Sequence, residues 1–293
     1  MSYLAHRRKA FRGGATGLLA DYPGAAAAFS VRELTSAWAG QAVIRVERSS
    51  DSAQADFTAA ELEGTDVKDW VGTGGTDQGY VVTWYDQSGN GFDATQTAAN
   101  APKVITNGSY FSLAPREIYF SGSRHLTNTT GGTSGNGNID YNGGVSWYMV
   151  HNLANTNGRL WCDDITGSVG YTIFPADGNY LLNDNDTGYE GPTTGAHGTT
   201  GTHQLASFHF DSLTGDYEYA RDGSNTTGNL STWSDVAIDS SNTANFGFGH
   251  AGNGGGSNAI IGFVQELIIY PNDQSANRTG IEGNINDYYG IYV

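Results

Sequence analysis

From residue 80 onward the chain is a succession of short segments rich in aromatic and β-branched residues. Clusters of Gly, Asn, Asp and Ser cut them apart. YVVTWY (80–85), KVIT (103–106), REIYF (116–120), VSWYMVH (145–151), YTIF (171–174), HQLASFHF (203–210), DYEYAR (216–221), NFGFG (245–249) and AIIGFVQELIIY (259–270) read as strands. GGTSGNGN (131–138), NDNDTG (183–188) and GNGGG (252–256) read as the turns between them. No helical stretch intervenes, so neighbouring strands run antiparallel and must bury one face against a second layer. The expectation is an all-β, two-sheet antiparallel sandwich. With 293 residues, 42 of them glycine, and 38% hydrophobic, the chain suits one such domain with a packed core.

The flanks read differently. SVRELTSAWA (30–39) predicts a short helix: Ser30 and Glu33 have capping-box spacing, Leu34, Ala37 and Trp38 share a face, and Gly40 supplies the stop. AVIRVER (42–48) alternates as a strand, and 65–71 predicts one or two further helical turns. SANRTGIEGNINDYYG (275–290) predicts a closing helix, capped by Ser275, with Ile281, Ile285 and Tyr288 or Tyr289 on one face. Residues 1–24 read as an extended N-terminal arm and 25–293 as the sandwich domain.

Charge separates the same two parts. The net charge is −16, yet residues 1–48 carry +4, which leaves −20 on the remainder. An acidic body repels DNA and anionic membranes, so nucleic acid is an unexpected partner for it. No apolar run is long enough to span a membrane. In the arm, Arg7, Arg8, Lys9 and Arg12, with Tyr3 and Phe11 as apolar anchors, suit docking onto an acidic protein neighbour. Arg7-Arg8 followed by Phe11 has the look of an export signal, but the segment that should be apolar is broken by Asp21 and Pro23, so no signal peptide is expected. Cys162 is the one cysteine, which rules out an intrachain disulfide.

WYDQSGNGFDATQ (84–96) admits two readings. In one, Trp84 enters the core, Asp86 and Ser88 bond to turn backbone, and Gly89 and Gly91 take positive φ. In the other, Tyr85 offers a flat face to a sugar ring while Asp86, Asn90 and Asp93 bond to its hydroxyls. A glycosidase would need two carboxyls about 5–10 Å apart; the candidates are Asp163, Asp164, Glu190, Asp216, Glu218 and Glu266, of which Glu266 is expected to face solvent by alternation. LLNDNDTG places Asp184 and Asp186 in one loop where their oxygens could hold Ca²⁺, although the spacing is more that of a polar turn. No other cofactor is expected.

DQSGNGFDATQ followed by REIYFSGSRHLTNT, together with FHFDSLTGDYEYARDGS (208–224) and the closing strand and helix (261–292), resembles the laminin-G-like, concanavalin A-like jelly rolls. SVRELTSAWAGQAVIRVERSSD with VVTWYDQSGNG resembles both the catalytic domain of fungal-type α-L-arabinofuranosidases and a set of phage-borne and bacterial proteins. The resemblance implies a jelly roll of the kind that lectins, glycosidases and virion proteins share. The arabinofuranosidase pattern carries adjacent cysteines, but GRLWCDDI (158–165) has Cys162 alone, and no catalytic residue is carried over. The function expected is that of an adhesive or structural component of a phage-like virion, made in the host cytoplasm. The arm would bind other virion proteins in a symmetric, homo-oligomeric assembly, and the jelly roll would meet host-surface glycans. An arabinofuranosidase-like hydrolase is the alternative.

Overall fold

The computed structural model describes residues 17–112, 116–128, 144–154, 201–211, 213–229 and 260–293, with the backbone of five intervening strands and the side chain of Phe248. The chain opens with α1 (Leu18–Asp21), β1 (Ala27–Ser30), β2 (Ala42–Arg48) and β3 (Gln54–Thr58), then α2 (Ala59–Glu63), α3 (Asp66–Val71) and β4 (Gly79–Trp84). Short strands follow: β5 (Ala94–Thr95), β6 (Lys103–Thr106), β7 (Ser109–Tyr110), β8 (Ile118–Ser121) and β9 (Leu126–Thr127). Next come β10 (Val145–Leu153), β11 (Trp161–Asp164), β12 (Thr172–Ile173), β13 (Leu182–Asp184), β14 (Gly188–Glu190), β15 (Gln204–Phe210), β16 (Asp216–Arg221) and β17 (Ser224–Asn229). β18 (Asn245–Phe248), β19 (Ile261–Tyr270) and α4 (Arg278–Tyr289) complete the order.

The described pairings are antiparallel, and the molecule is an all-β sandwich. One layer runs β3-β2-β4-β6-β8-β19-β10-β15-β16-β17. The other runs β5-β9-β18-β11-β12. β4 joins them: its start pairs with β6 and its end with β5. Between the layers sit the rings of Phe29, Trp84 and Phe248, with centroids 4.9–5.8 Å apart. Trp84 is wholly buried, and its Nε1–H donates to the Ser30 carbonyl (3.2 Å), the polar partner a buried indole needs.

β19 is the central strand. Its first half pairs with β8, its second half with β1, and both halves with β10. A second core lies outside the sheet, over the second half. There Ile281 and Ile285 of α4, with Leu18, Ala25, Ala28 and Leu34, cover Tyr148, Val150, Leu205, Ile268 and Tyr270. Residues 17–24, read with the arm from sequence, thus pack on the domain: Leu18 is buried and Tyr270 Oη donates to the Tyr22 carbonyl (2.8 Å).

Three local readings need correction. Residues 30–39 are not a helix. Ser30 ends β1, its Oγ donates to Glu266 (2.7 Å), and the Leu34 N–H is taken by Gln87 Oε1 (2.9 Å), which leaves only a 3₁₀ turn at Ser36–Trp38. The capping box is instead at Thr58 and Glu61, on α2. Glu266 does not face solvent. α4 covers the outer face of that half of β19, so the alternating position is buried too, with none of the residue exposed. Ser275 opens a 3₁₀ turn ahead of α4 and bonds Asp273 rather than capping the helix.

Candidate functional site

The turn after β4 is an internal clamp. Asp86 is 1% exposed, and its carboxylate accepts four bonds: Oδ1 from the N–H of Ala28 (2.8 Å) and Ser88 (2.9 Å), Oδ2 from Ser88 Oγ (2.7 Å) and the N–H of Phe92 (3.0 Å). Asn90 Nδ2 donates to the carbonyls of Ala25 and Ala26, and Asp93 Oδ1 accepts the N–H of Asp86. Gly89 and Gly91 take φ of +90° and +76°, as the turn reading expects. Gln87 extends the clamp, donating to the carbonyls of Ser30 and Arg32. The polar groups proposed for sugar contact at Asp86 and Asn90 are therefore bonded to residues 25–28 and to the turn itself.

Tyr85 is placed apart from that clamp, half-buried beside β2 and β3. Its Oη donates to Asp56 (2.7 Å), which also receives Arg45 through two bonds of 2.7 and 2.8 Å. Burial, and then the bond to Asp56, raise the Tyr85 pKa, and the paired Arg45 lowers that of Asp56. Asp93 is raised by burial. The four predicted contacts divide accordingly: Tyr85 keeps a ring at the surface, and the other three hold the turn.

The three candidate carboxyls whose side chains are described, Glu266, Glu218 and Asp216, are also committed. Both oxygens of Glu266 receive the Arg32 guanidinium (2.7 and 3.0 Å), with Tyr289 Oη at 3.1 Å. Glu218 pairs with Arg278 (3.0 Å), and Asp216 accepts from Asn229. The side chains of Asp163, Asp164, Glu190 and Asp184, and all of Asp186, lie outside the described residues, as do Tyr3, Arg7, Arg8, Lys9, Phe11 and Arg12. Among the described residues no group of His, Cys, Asp and Glu could hold a metal ion.

The described residues leave the first half of the outer sheet face partly exposed. One cross-strand row runs Glu47, Tyr80, Lys103, Tyr119, Phe263, Asn152, over β2, β4, β6, β8, β19 and β10. All six are partly exposed. Phe111 packs onto Tyr119 and Phe263, the three centroids lying 4.8–5.5 Å apart. These aromatics belong to neither core. Lys103 and Arg124 approach the Tyr80 ring to 5.6 and 5.0 Å. Sequence reading found these strands but not this surface. The available signal was an aromatic at the solvent phase of the alternation, as in Ile118-Tyr119-Phe120, where the flanking residues are buried.

No family model and no curated protein matches the chain. Among solved structures, a GH54 α-L-arabinofuranosidase soaked with a cyclic sulfate inhibitor aligns with a TM-score of 0.62 at 17% identity, over 92% of this chain and 63% of its own. An arabinofuranosidase complexed with arabinofuranosyl-α-1,2-xylobiose aligns with a TM-score of 0.62 at 16% identity, over 93% of this chain and 65% of its own. The chain spans less than two thirds of these proteins, and at such identity the likeness is one of fold.

Proposed function

We propose that the chain is a carbohydrate-recognising sandwich of the concanavalin A-like jelly-roll type, and that binding rather than hydrolysis is its task. The partly exposed aromatic row carries this reading. Sugar rings stack their C–H faces on aromatic rings while their hydroxyls need fixed polar neighbours, and Tyr119 and Phe263 lie in one row with Lys103 and Asn152. The shared fold with carbohydrate-active proteins supports it. In its wider setting the domain is the adhesive part of a phage-like virion, attached through Tyr3 to Arg12 and presented to host-surface glycans; that setting rests on the N-terminal sequence block and the basic arm. A glycan array probed with the full chain tests recognition: the protein retains a glycan and Tyr119→Ala weakens it about tenfold. Equal retention by both proteins, or none by either, ends the reading. Deleting residues 2–14 abolishes incorporation into particles; unchanged incorporation removes the attachment role.

The second reading, an arabinofuranosidase-like hydrolase, is favoured by the alignment over nine tenths of this chain. With Glu218 and Glu266 tied to arginines, it draws its carboxyl pair from Asp163, Asp164 or Glu190. Release of arabinose from a chromogenic furanoside supports it, and no turnover on a panel of furanosides and pyranosides sinks it.

A further inference from the structure

Acidic residues outnumber basic ones 30 to 14 in this chain, so a cation should easily find a carboxylate. Arg32, Arg45, Arg48 and Arg278 do, each with a carboxylate oxygen within 3.0 Å. Lys103 and Arg124 do not. Both converge on the Tyr80 ring, and among the described residues neither enters an ion pair. Lys103 Nζ donates to the Gln78 carboxamide (2.9 Å), and one Arg124 nitrogen donates to the carbonyls of Ala98 and Ala101, all of them neutral acceptors. These contacts fix the two cations in place without neutralising them. Burial, and after it the charge of Arg124, lower the Lys103 pKa, as two like charges held together would. The nearest acid in the row, Glu47, lies beyond Tyr80 and accepts from Gln54 (2.7 Å).

We infer that the aromatic row is built for an anionic sugar: a uronic acid residue whose ring lies on Tyr119 and whose carboxylate sits between Lys103 and Arg124. This rests on the carbohydrate-recognition reading and adds to it the ligand class and the position of its charge. Lys103 stands between Tyr80 and Tyr119 in the row, so a group bound by the amine is carried directly onto the aromatic platform. The acidic body opposes long-range attraction, but at about 0.15 M salt charges farther than roughly 8 Å are largely screened, and the two local cations dominate at contact.

The test is affinity electrophoresis of the full-length protein in gels holding polygalacturonate, neutral arabinan or dextran sulfate. Polygalacturonate should retard the protein, and raising NaCl from about 50 to about 300 mM should weaken this roughly tenfold. Lys103→Gln should lose about fivefold in affinity and Lys103→Arg should restore most of it, since a lone charge–carboxylate contact at a partly exposed site is of that size. Both variants should melt close to the parent, because among the described residues the Lys103 amine makes one hydrogen bond, to Gln78, and one ring contact, with the partly exposed Tyr80. Retardation by arabinan but not polygalacturonate would leave the glycan surface standing and overturn the anionic preference. Equal retardation by polygalacturonate and dextran sulfate, insensitive to Lys103, would overturn it as general charge attraction. No retardation in any gel overturns both readings.

Discussion

The two halves of one sheet face are finished in opposite ways. Over the second half of β19, α4 and residues 17–34 seal the surface, and polar groups beneath them are bonded into networks, the Tyr148 hydroxyl excepted. Arg32 and Glu266 form a buried ion pair joined by Ser30 and Tyr289, and Ser146, His209, Ser207, Glu282 and Arg278 form a second bonded chain. Over the first half the described residues leave the row partly exposed: Phe111 packs on Tyr119 and Phe263, and Lys103 of β6 and Arg124, between β8 and β9, have no ion pair among the described residues. A cover makes polar groups structural, since burial without a partner is costly. Where the described residues lay down no such cover, rings and charges stay partly exposed. Residue type alone is therefore a poor guide to role here: Glu266 looks catalytic and is internal, while Tyr119 looks like a strand residue and belongs to a partly exposed aromatic trio.

The sharpest way to break this contrast is to remove Glu266. Glu266→Ala strands a buried guanidinium and should cost about 3–5 kcal/mol in urea denaturation; a loss under about 1 kcal/mol would mean that the covered half tolerates an unpaired charge. Next is acid. Burial, and then the charge of Arg278, depress the His209 pKa to about 3. The unfolded chain takes up this proton near pH 6.5 while the folded one refuses it, so the contribution of His209 is present above about pH 6.5 and is lost as pH falls towards 3, at up to about 1.4 kcal/mol per pH unit. The groups facing it, Arg278, Glu282 through Ser207, and Tyr148, stay in place in His209→Gln. That variant should lose less stability than the parent between pH 6.5 and 4, and parallel curves would refute the account. Asp86→Asn turns an amide N–H₂ towards Ser88 and Phe92 or towards Ala28 and should cost about 2 kcal/mol, with glycan binding following stability alone. The smallest stability effect belongs to the partly exposed half: Tyr119→Ala should change it by about 1 kcal/mol or less while binding falls. A larger stability loss there would make the aromatic trio a core.

Most strands were legible in the sequence because aromatic and β-branched residues alternate between glycine-rich turns; KVIT and DYEYAR are strands over their full length. The helix signals were harder to read. Ser30-x-x-Glu33 and Thr58-x-x-Glu61 carry the same local message, and only the second is obeyed. Ser30 sits in AAFS, whose four residues are all buried against β19 and the inter-layer core, and partners more than 230 residues away outweigh a local cap. Likewise the turn after Trp84 was legible as a turn, but its bonding to residues 25–34 was not, because tertiary contact decides where an Asp or Gln spends its acceptors. The partly exposed row was illegible for a related reason: alternation marks which side of a strand a residue takes, not whether another element lies over that side.

The position of β19 in the chain bears on how the molecule is made. β1, β8 and β10 all pair with it, yet residues 27–153 leave the ribosome well before residue 261. Until then three strands wait with open edges, and Arg32 waits for Glu266. Such long-range pairing folds slowly and exposes strands that can join the wrong chain. A chain halted before residue 260 lacks the strand that β1, β8 and β10 share, so it should aggregate more readily than the full chain, and the yield of the domain should rise when the early strands are shielded until the shared one arrives.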